Sequence, residues 1–257
     1  MSGASGLADF QHRFSWPRTG AALPLCIAHR GASDHARENT LAAFRLASQL
    51  GADMWEIDTQ LTRDGVVVIS HDDHLLRVFG VDARISQLDA AELAALKDVD
   101  VPTFAEVAAL ARALRTGLYI ELKAQGSGLK CWRELLTHDQ TYAAFGSFDT
   151  AQVRELRDAG CQWPLAVLVR IGCGPLAFAD KAGADLVHLC WEKDGERPQD
   201  KVTNDLCDRI FRSQRHIVLW HEERADILKD MLDLPVLGIC TNRPEMMRSG
   251  EASRDIA

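Results

Sequence analysis

Short apolar runs recur along the chain, separated by longer segments whose apolar positions repeat every three to four residues. The runs read as strands: Leu25–Ala28, Met54–Asp58, Val66–Ser70, Leu118–Leu122, Ala143–Phe148, Leu165–Val169, Leu186–Cys190, Ile217–Trp220 and Val236–Cys240. The segments between them read as helices: Asn39–Leu50, Ala90–Leu96, Thr103–Leu114, Leu129–Thr137, Ala151–Ala159, Gly174–Ala182, Asp200–Ser213 and Arg224–Leu232. Thr103-Phe-Ala-Glu106 has the form of a capping box, in which each side chain satisfies the other residue's backbone N–H at the start of a helix. Gly51, Gly117, Gly160 and Gly183 fall just after helical patterns, where a left-handed glycine closes a helix.

Strands alternating with helices predict a mostly parallel sheet covered by helices. No GxGxxG follows a strand, so a dinucleotide-binding fold loses its support. About eight such units predict a single-domain α/β protein, a TIM-type (β/α)8 barrel, for which 257 residues is a usual length. Nine runs compete for eight places, and Val66–Ser70 is the awkward one. Leu61-Thr-Arg-Asp-Gly65 leaves no room for a crossover helix ahead of it. The barrel is expected over residues 21–247, with an N-terminal extension, 1–20, and a C-terminal tail, 248–257, as loose ends.

Composition narrows the setting. Hydrophobic residues make up 47% of the chain, enough for a large core. Seven cysteines, at 26, 131, 161, 173, 190, 207 and 240, form no CxxC pair. The odd count and irregular spacing argue for reduced thiols and a cytoplasmic setting. Cys173, between two glycines, has no evident cation or base beside it, which argues against a catalytic thiol. No window approaches the roughly 20 apolar residues of a membrane span, and MSGASGLADFQHRFSWPR lacks the pattern of a signal peptide. A net charge of −8 argues against nucleic-acid binding. It also disfavours an anionic substrate globally, so a phosphate site must reverse the field locally.

Polar groups collect where the apolar runs end, the face on which a barrel carries its active site. His29 and Arg30 follow the first run, Glu56 and Asp58 close the second, His71 and Asp72 follow the third, and Glu121 and Lys123 end the fourth. Residues two apart on a strand share a face, so Glu56 and Asp58 point one way, and Glu121 and Lys123 do likewise. The bland reading pairs these acids with Arg30 and Lys123. The sharper one gives Glu56, Asp58 and Glu121 to one divalent cation. An all-oxygen set favours Mg²⁺ or Ca²⁺ over zinc. His29 and His71 would serve as general acid and base near neutral pH, with Arg30 and Lys123 on phosphate oxygens. His188, late in its run, is within reach of the mouth. Trp220, like Trp191-Glu192, could wall a substrate pocket or simply pack. His35 and His74 could touch substrate, whereas His12, His138, His216 and His221 read as surface or packing residues.

These residues resemble those of the glycerophosphodiester phosphodiesterases, within the phospholipase C-like phosphodiesterases. The resemblance is carried by IAHRGASDHARENTLAAFRLA from Ile27, GADMWEIDTQLTRDGVVVISHD from Gly51, VPTFAEV from Val101, YIELK from Tyr119, SFD from Ser147 and GICTNRPE from Gly238. It is dense over positions 25–123 and thin but collinear to about Glu245. It implies a (β/α)8 barrel that hydrolyses glycerophosphodiesters to glycerol 3-phosphate and an alcohol, with a place in lipid and glycerol metabolism. By position, His29 and His71 match the acid/base pair, Glu56, Asp58 and Glu121 the metal ligands, and Arg30 and Lys123 the phosphate contacts. Glu38, in the ENT motif, is expected to orient the first loop.

Some positions depart from the family pattern. After His71-Asp72 the family commonly has Pro or Glu and then a Leu-Asp-Arg-Thr-like run; here Asp73-His74-Leu75-Leu76-Arg77-Val78 stands. Asn242 replaces a common Asp, and His221-Glu222-Glu223 replaces a Thr-Val-Asn-like sequence. The stretch from Arg77 to Val101 is short for a lid. These changes bear on the alcohol group more than on the phosphodiester chemistry. The expected partner is a small-molecule glycerophosphodiester, without nucleic acid or a membrane span, and a homo-oligomer is left open. Two rivals remain: a lysophospholipase D or sphingomyelinase D-like enzyme, which needs an apolar groove, and a catalytically silent barrel that binds a phosphodiester.

Overall fold

The computed structural model describes residues 24–137, 142–191 and 195–247. The expected extension 1–20 and tail 248–257, with His12, His138 and Glu192, lie outside the described residues. The chain runs β1 (Leu25–His29), α1 (Leu41–Gln49), β2 (Met54–Leu61), β3 (Val67–Ile69), α2 (Leu76–Phe79), a 3-10 turn (Ile85–Gln87), α3 (Ala90–Ala94), α4 (Phe104–Leu114) and β4 (Gly117–Leu122). It continues through α5 (Ser127–Leu136), β5 (Ala143–Ser147), α6 (Thr150–Asp158), β6 (Leu165–Arg170), α7 (Pro175–Ala182) and β7 (Leu186–Cys190). A 3-10 turn (Pro198–Lys201), α8 (Asn204–Arg212), β8 (His216–Leu219), α9 (Ala225–Met231) and β9 (Gly238–Thr241) complete it.

The strand order is β1-β9-β8-β7-β6-β5-β4-β2, and β1 pairs in turn with β2, which closes a parallel barrel of eight strands. The awkward ninth run is β3. It lies antiparallel to the end of β2, through the pairs Thr59–Ile69, Gln60–Val68 and Leu61–Val67. The short connection of residues 62–66 thus folds back as a hairpin, the geometry a connection of that length permits.

Strand alternation splits the core in two. Cys26, Ala28, Trp55, Ile57, Leu118, Ile120, Phe145, Val187 and Ile239 face outward and pack under the helices. Leu25, Ile27, Met54, Tyr119, Ala144, Ala166, Leu186, Val218 and Cys240 face inward and fill the barrel. A third, smaller cluster of Val68, Leu75, Ile85 and Leu93 serves the excursion between β2 and α4.

The Thr103/Glu106 capping box is formed: Glu106 N donates to Thr103 Oγ1 at 3.3 Å, and Thr103 N to Glu106 Oε2 at 2.8 Å. Gly51, Gly160 and Gly183 have positive φ after their helices, but Gly117 does not. Arg115 takes the left-handed position that ends α4, at φ 54°. Gly117 instead opens β4 inside the barrel, where an added Cβ would meet Met54 Cγ at 2.8 Å. Helix Asp200–Ser213 is interrupted: Val202 and Thr203 separate a 3-10 turn from α8, and Thr203 caps it by accepting from Leu206 N. The four-residue helix α2 had no apolar repeat to announce it and buries no side chain.

Candidate active site

The parallel register places the acids. Asp58 pairs with Glu121 between β2 and β4, and His29 with Glu56 between β1 and β2. Glu56, Asp58 and Glu121 are buried, at 1%, 0% and 2% exposure. One carboxylate oxygen from each lies within 4.8 Å of the others. Burial, with Asp58 and Glu121 alongside, pushes Glu56 well above the usual carboxylate range. Burial and Asp58 raise Glu121 to about 7. Burial acts the same way on Asp58, but Lys123, Arg30 and His71 overcome it and hold it at about 2.

Two cations already neutralise part of this charge, as the bland reading requires. Lys123 Nζ donates to Glu121 Oε1 at 2.6 Å and lies 3.3 Å from Asp58 Oδ1, out of line for a hydrogen bond. Arg30 Nε lies 3.3 Å from Asp58 Oδ2, also poorly aimed. The polar contacts stay incomplete: Glu56 Oε1 is buried with no hydrogen-bond partner, and Asp58 Oδ1 has the misaligned Lys123 ion pair but no hydrogen bond. Such orphans carry a cost unless something binds them, and a hard cation among three carboxylates is the ligand that their chemistry fits.

His29 ends β1. Its Nδ1 lies 2.7 Å from Asn242 Oδ1, and Ser33 Oγ lies 2.9 Å from the same oxygen. Nε2 is turned towards the acids, 4.0 Å from Glu56 Oε2, and has no hydrogen-bond partner. The ring stacks on His221, with centroids 4.4 Å apart and planes at 12°, and tilts against Trp220 at 5.3 Å. Burial, then His221 and Arg30, lower the His29 pKa well below the usual histidine value.

His71 follows β3, the strand laid against the end of β2, and its side chain is about a third exposed. Its Nδ1 lies 2.7 Å from Asp72 Oδ1. Arg77 Nε donates to Asp72 Oδ2 at 2.5 Å, and the other two guanidinium nitrogens of Arg77 donate to the two oxygens of Glu38 at 2.9 and 2.6 Å. Glu38 Oε1 also accepts from Arg30 Nη1 at 3.1 Å. Beyond Trp220, a pocket of about 410 Å³ is lined by Trp191, His221, Glu222, Glu223 and Arg224. Glu223 ties this wall to the site, accepting from Asn242 N at 2.7 Å and lying 3.1 Å from His221 Nδ1.

Residues 29–246 match the model of the glycerophosphoryl diester phosphodiesterase family. The chain belongs to that family. It is accordingly a phosphoric diester hydrolase of the glycerophosphodiester phosphodiesterase type. It is 43% identical to the glycerophosphodiester phosphodiesterase of Caldanaerobacter subterraneus subsp. tengcongensis over 242 residues, 87% of this chain and 96% of that protein. A shorter stretch of 67 residues is 48% identical to the human lysophospholipase D GDPD1, covering 26% of this chain and only 21% of that one. Among solved structures, a phosphodiesterase of Oleispira antarctica, in complex with the product sn-glycerol-3-phosphate, superposes with a TM-score of 0.76. It shares 23% identity over 90% of this chain and 97% of its own, a likeness of fold.

In this phosphodiesterase, His29, Arg30, Glu56, Asp58, Glu121 and Lys123 converge as a cluster, with His71 close enough to act on Asp58. His188 sits apart from them. It is fully buried within the barrel, Nδ1 3.0 Å from the Tyr119 hydroxyl, and burial drives its pKa down to about 3. Trp220 packs across it at 5.3 Å, so His188 supports the wall from beneath rather than facing the mouth. His35 and His74 are occupied at the rim by Glu245 and Asp82.

Several neighbours of the cluster had no sequence signal of their role. Asn39 donates to Asp58 Oδ2 at 2.8 Å from a left-handed backbone, φ 57°. It was visible only as the middle letter of ENT. Asn242 and Arg77 stood out as places in departing runs, without an assignment. His221, read as surface or packing, stacks on His29.

Proposed function

We propose that this chain hydrolyses glycerophosphodiesters to glycerol 3-phosphate and an alcohol, with Glu56, Asp58 and Glu121 holding one Mg²⁺ or Ca²⁺. The observation that carries the reading is the convergence of three buried carboxylates within 4.8 Å, with Glu56 Oε1 and Asp58 Oδ1 lacking a hydrogen bond beside the unpartnered Nε2 of His29. A bound cation would polarise the phosphate and stabilise the charge that develops on it. Arg30 and Lys123, part-exposed at the edge of the acids, would take phosphate oxygens. His29 and His71 would divide the proton transfers, one taking a proton from the attacking oxygen and the other giving one to the departing alcohol. Each ring has Nδ1 held by a neighbour, which leaves Nε2 for chemistry.

The glycerol 3-phosphate product found with the Oleispira antarctica enzyme supports that half of the substrate. Seven cysteines without a disulfide are in keeping with a cytoplasmic setting. Among the described residues, no helix is long and apolar enough to cross a membrane.

The experiment is a panel of glycerophosphodiesters assayed with Mg²⁺, with Ca²⁺ and with EDTA. Release of glycerol 3-phosphate that EDTA abolishes and either ion restores is the expected result; turnover indifferent to EDTA would remove the cation site. A lysophospholipid substrate is the second reading. It draws on the local identity to human lysophospholipase D and on Trp191, Trp220 and the exposed Phe148 near the mouth. Preference for lysophosphatidylcholine over glycerophosphocholine would favour it.

A further inference from the structure

We propose that Arg77 is a positioning residue that fixes His71 and Arg30 relative to each other. The proposal rests on the acid/base reading of His71. Its warrant is an unbroken line of polar contacts: His71 Nδ1 to Asp72, Asp72 to Arg77, Arg77 to Glu38, and Glu38 to Arg30. Arg77 is the member of that line that reaches both sides. Its Nε holds Asp72, and both of its terminal nitrogens hold Glu38 in the two-pronged geometry that a planar guanidinium matches.

The need for such a tie follows from the fold. Arg30 is anchored to the barrel, its N donating to the Glu56 backbone oxygen at 3.0 Å. His71 opens the excursion: the strand before it packs Val67 and Ile69 into the main core and Gln60 Nε2 donates to the His71 backbone oxygen at 3.0 Å, but the chain beyond it relies on a small core of its own. Helix α2, which carries Arg77, has no fully buried side chain; its Phe79 packs part-buried against that small core. Another tie from this helix to the first loop is made by Arg37, whose guanidinium carbon lies 5.1 Å from the Phe79 ring centre. The backbone of His71 is thus fixed by packing, and the polar line through Arg77 is what reaches its ring. Exposed ion pairs stabilise a fold little, whereas an acid/base group displaced by about 1 Å can cost about 10²-fold in rate. The main effect of Arg77 should thus fall on turnover, not on folding. A lysine reaches one carboxylate from one nitrogen and cannot span both, so it should act as a partial substitute.

The test compares Arg77→Met, Arg77→Lys, Asp72→Asn and His71→Ala with the unaltered enzyme. Three things are measured: kcat and KM on a glycerophosphodiester, the thermal midpoint, and the ¹⁵N signals of the His71 ring, assigned by their loss in His71→Ala. Arg77→Met is expected to lower kcat by about 10- to 100-fold, with a midpoint within a few degrees of the original and shifted His71 ring signals. Arg77→Lys should recover part of the loss, and Arg77→Met combined with Asp72→Asn should be no worse than the poorer single variant. An unchanged kcat in Arg77→Met while His71→Ala is inactive overturns the positioning role alone. Full activity in His71→Ala overturns the acid/base reading and the positioning role with it. A kcat loss that only tracks loss of folded protein, with unmoved ring signals in the folded remainder, also overturns it.

Discussion

The His29 ring is hydrogen-bonded by a residue that is not part of the acid cluster. Asn242 fixes its Nδ1 side, and the Nε2 that faces Glu56 is thereby aimed without a bond of its own. Asn242→Ala should lower kcat by about 10-fold or more while leaving cation affinity near its original value; titration calorimetry beside steady-state kinetics separates the two. Removing the rings themselves, in His29→Ala and His71→Ala, should cost at least about 10² in kcat. Asn39 stands on the other side of the distinction. It orients Asp58, so Asn39→Ala should weaken Mg²⁺ or Ca²⁺ binding by about 10- to 100-fold, seen in the ion concentration needed for half-maximal activity. The main cluster was legible because each member carries charge at or next to the end of an apolar run, although β2 itself continues past Glu56 and Asp58 to Leu61. Asn39, Asn242 and His221 were not, because their roles arise from contacts with residues 19, 213 and 192 positions away. An amide in a loop looks the same in sequence whether it orients a carboxylate or meets water.

At the level of elements, periodicity served well where packing follows it. The inward and outward sets of β2 and β4 are those that alternation assigns, and Thr103 and Glu106 form the cap that their spacing announces. Thr103→Ala should destabilise the protein by about 1 kcal/mol through loss of that cap, measurable as a lower urea midpoint with unchanged slope. Misreadings occurred where local chemistry allowed two outcomes. Gly117 follows a helical pattern as a closing glycine would, but Arg115 had already taken the left-handed turn. The glycine is needed for room beside Met54, not for freedom of φ. A helix end with an arginine at the left-handed position is uncommon, which is why the pattern misleads. Helix α2 was missed for a different reason: four residues are too few to show a period, and its side chains are not buried.

For the molecule as a whole, the closed barrel concentrates charge on its axis, and that ties stability to pH and to the cation. Glu121 rises from 4.5 to about 7 because it is buried beside Asp58. A carboxyl group that holds its proton more tightly folded than unfolded makes the fold less stable as pH climbs between those two values. Without metal, stability should therefore fall across that window. Since a cation favours the ionised form, the rise in thermal midpoint given by Mg²⁺ or Ca²⁺ should be larger near about pH 8 than near about pH 5; an equal rise at both would speak against Glu121 as a ligand. The separate core beneath the β2–α4 excursion has a different consequence. The acids and His29 belong to the closed ring, whereas His71 opens a flap of chain whose first strand is packed into the main core by Val67 and Ile69 and whose outer part is held by a small core of its own and by ion pairs. The outer part of such a flap can peel away as a unit while the ring stays intact. Warming should then switch the enzyme off before it melts, with turnover lost reversibly at temperatures where the far-ultraviolet signal of the barrel has not changed.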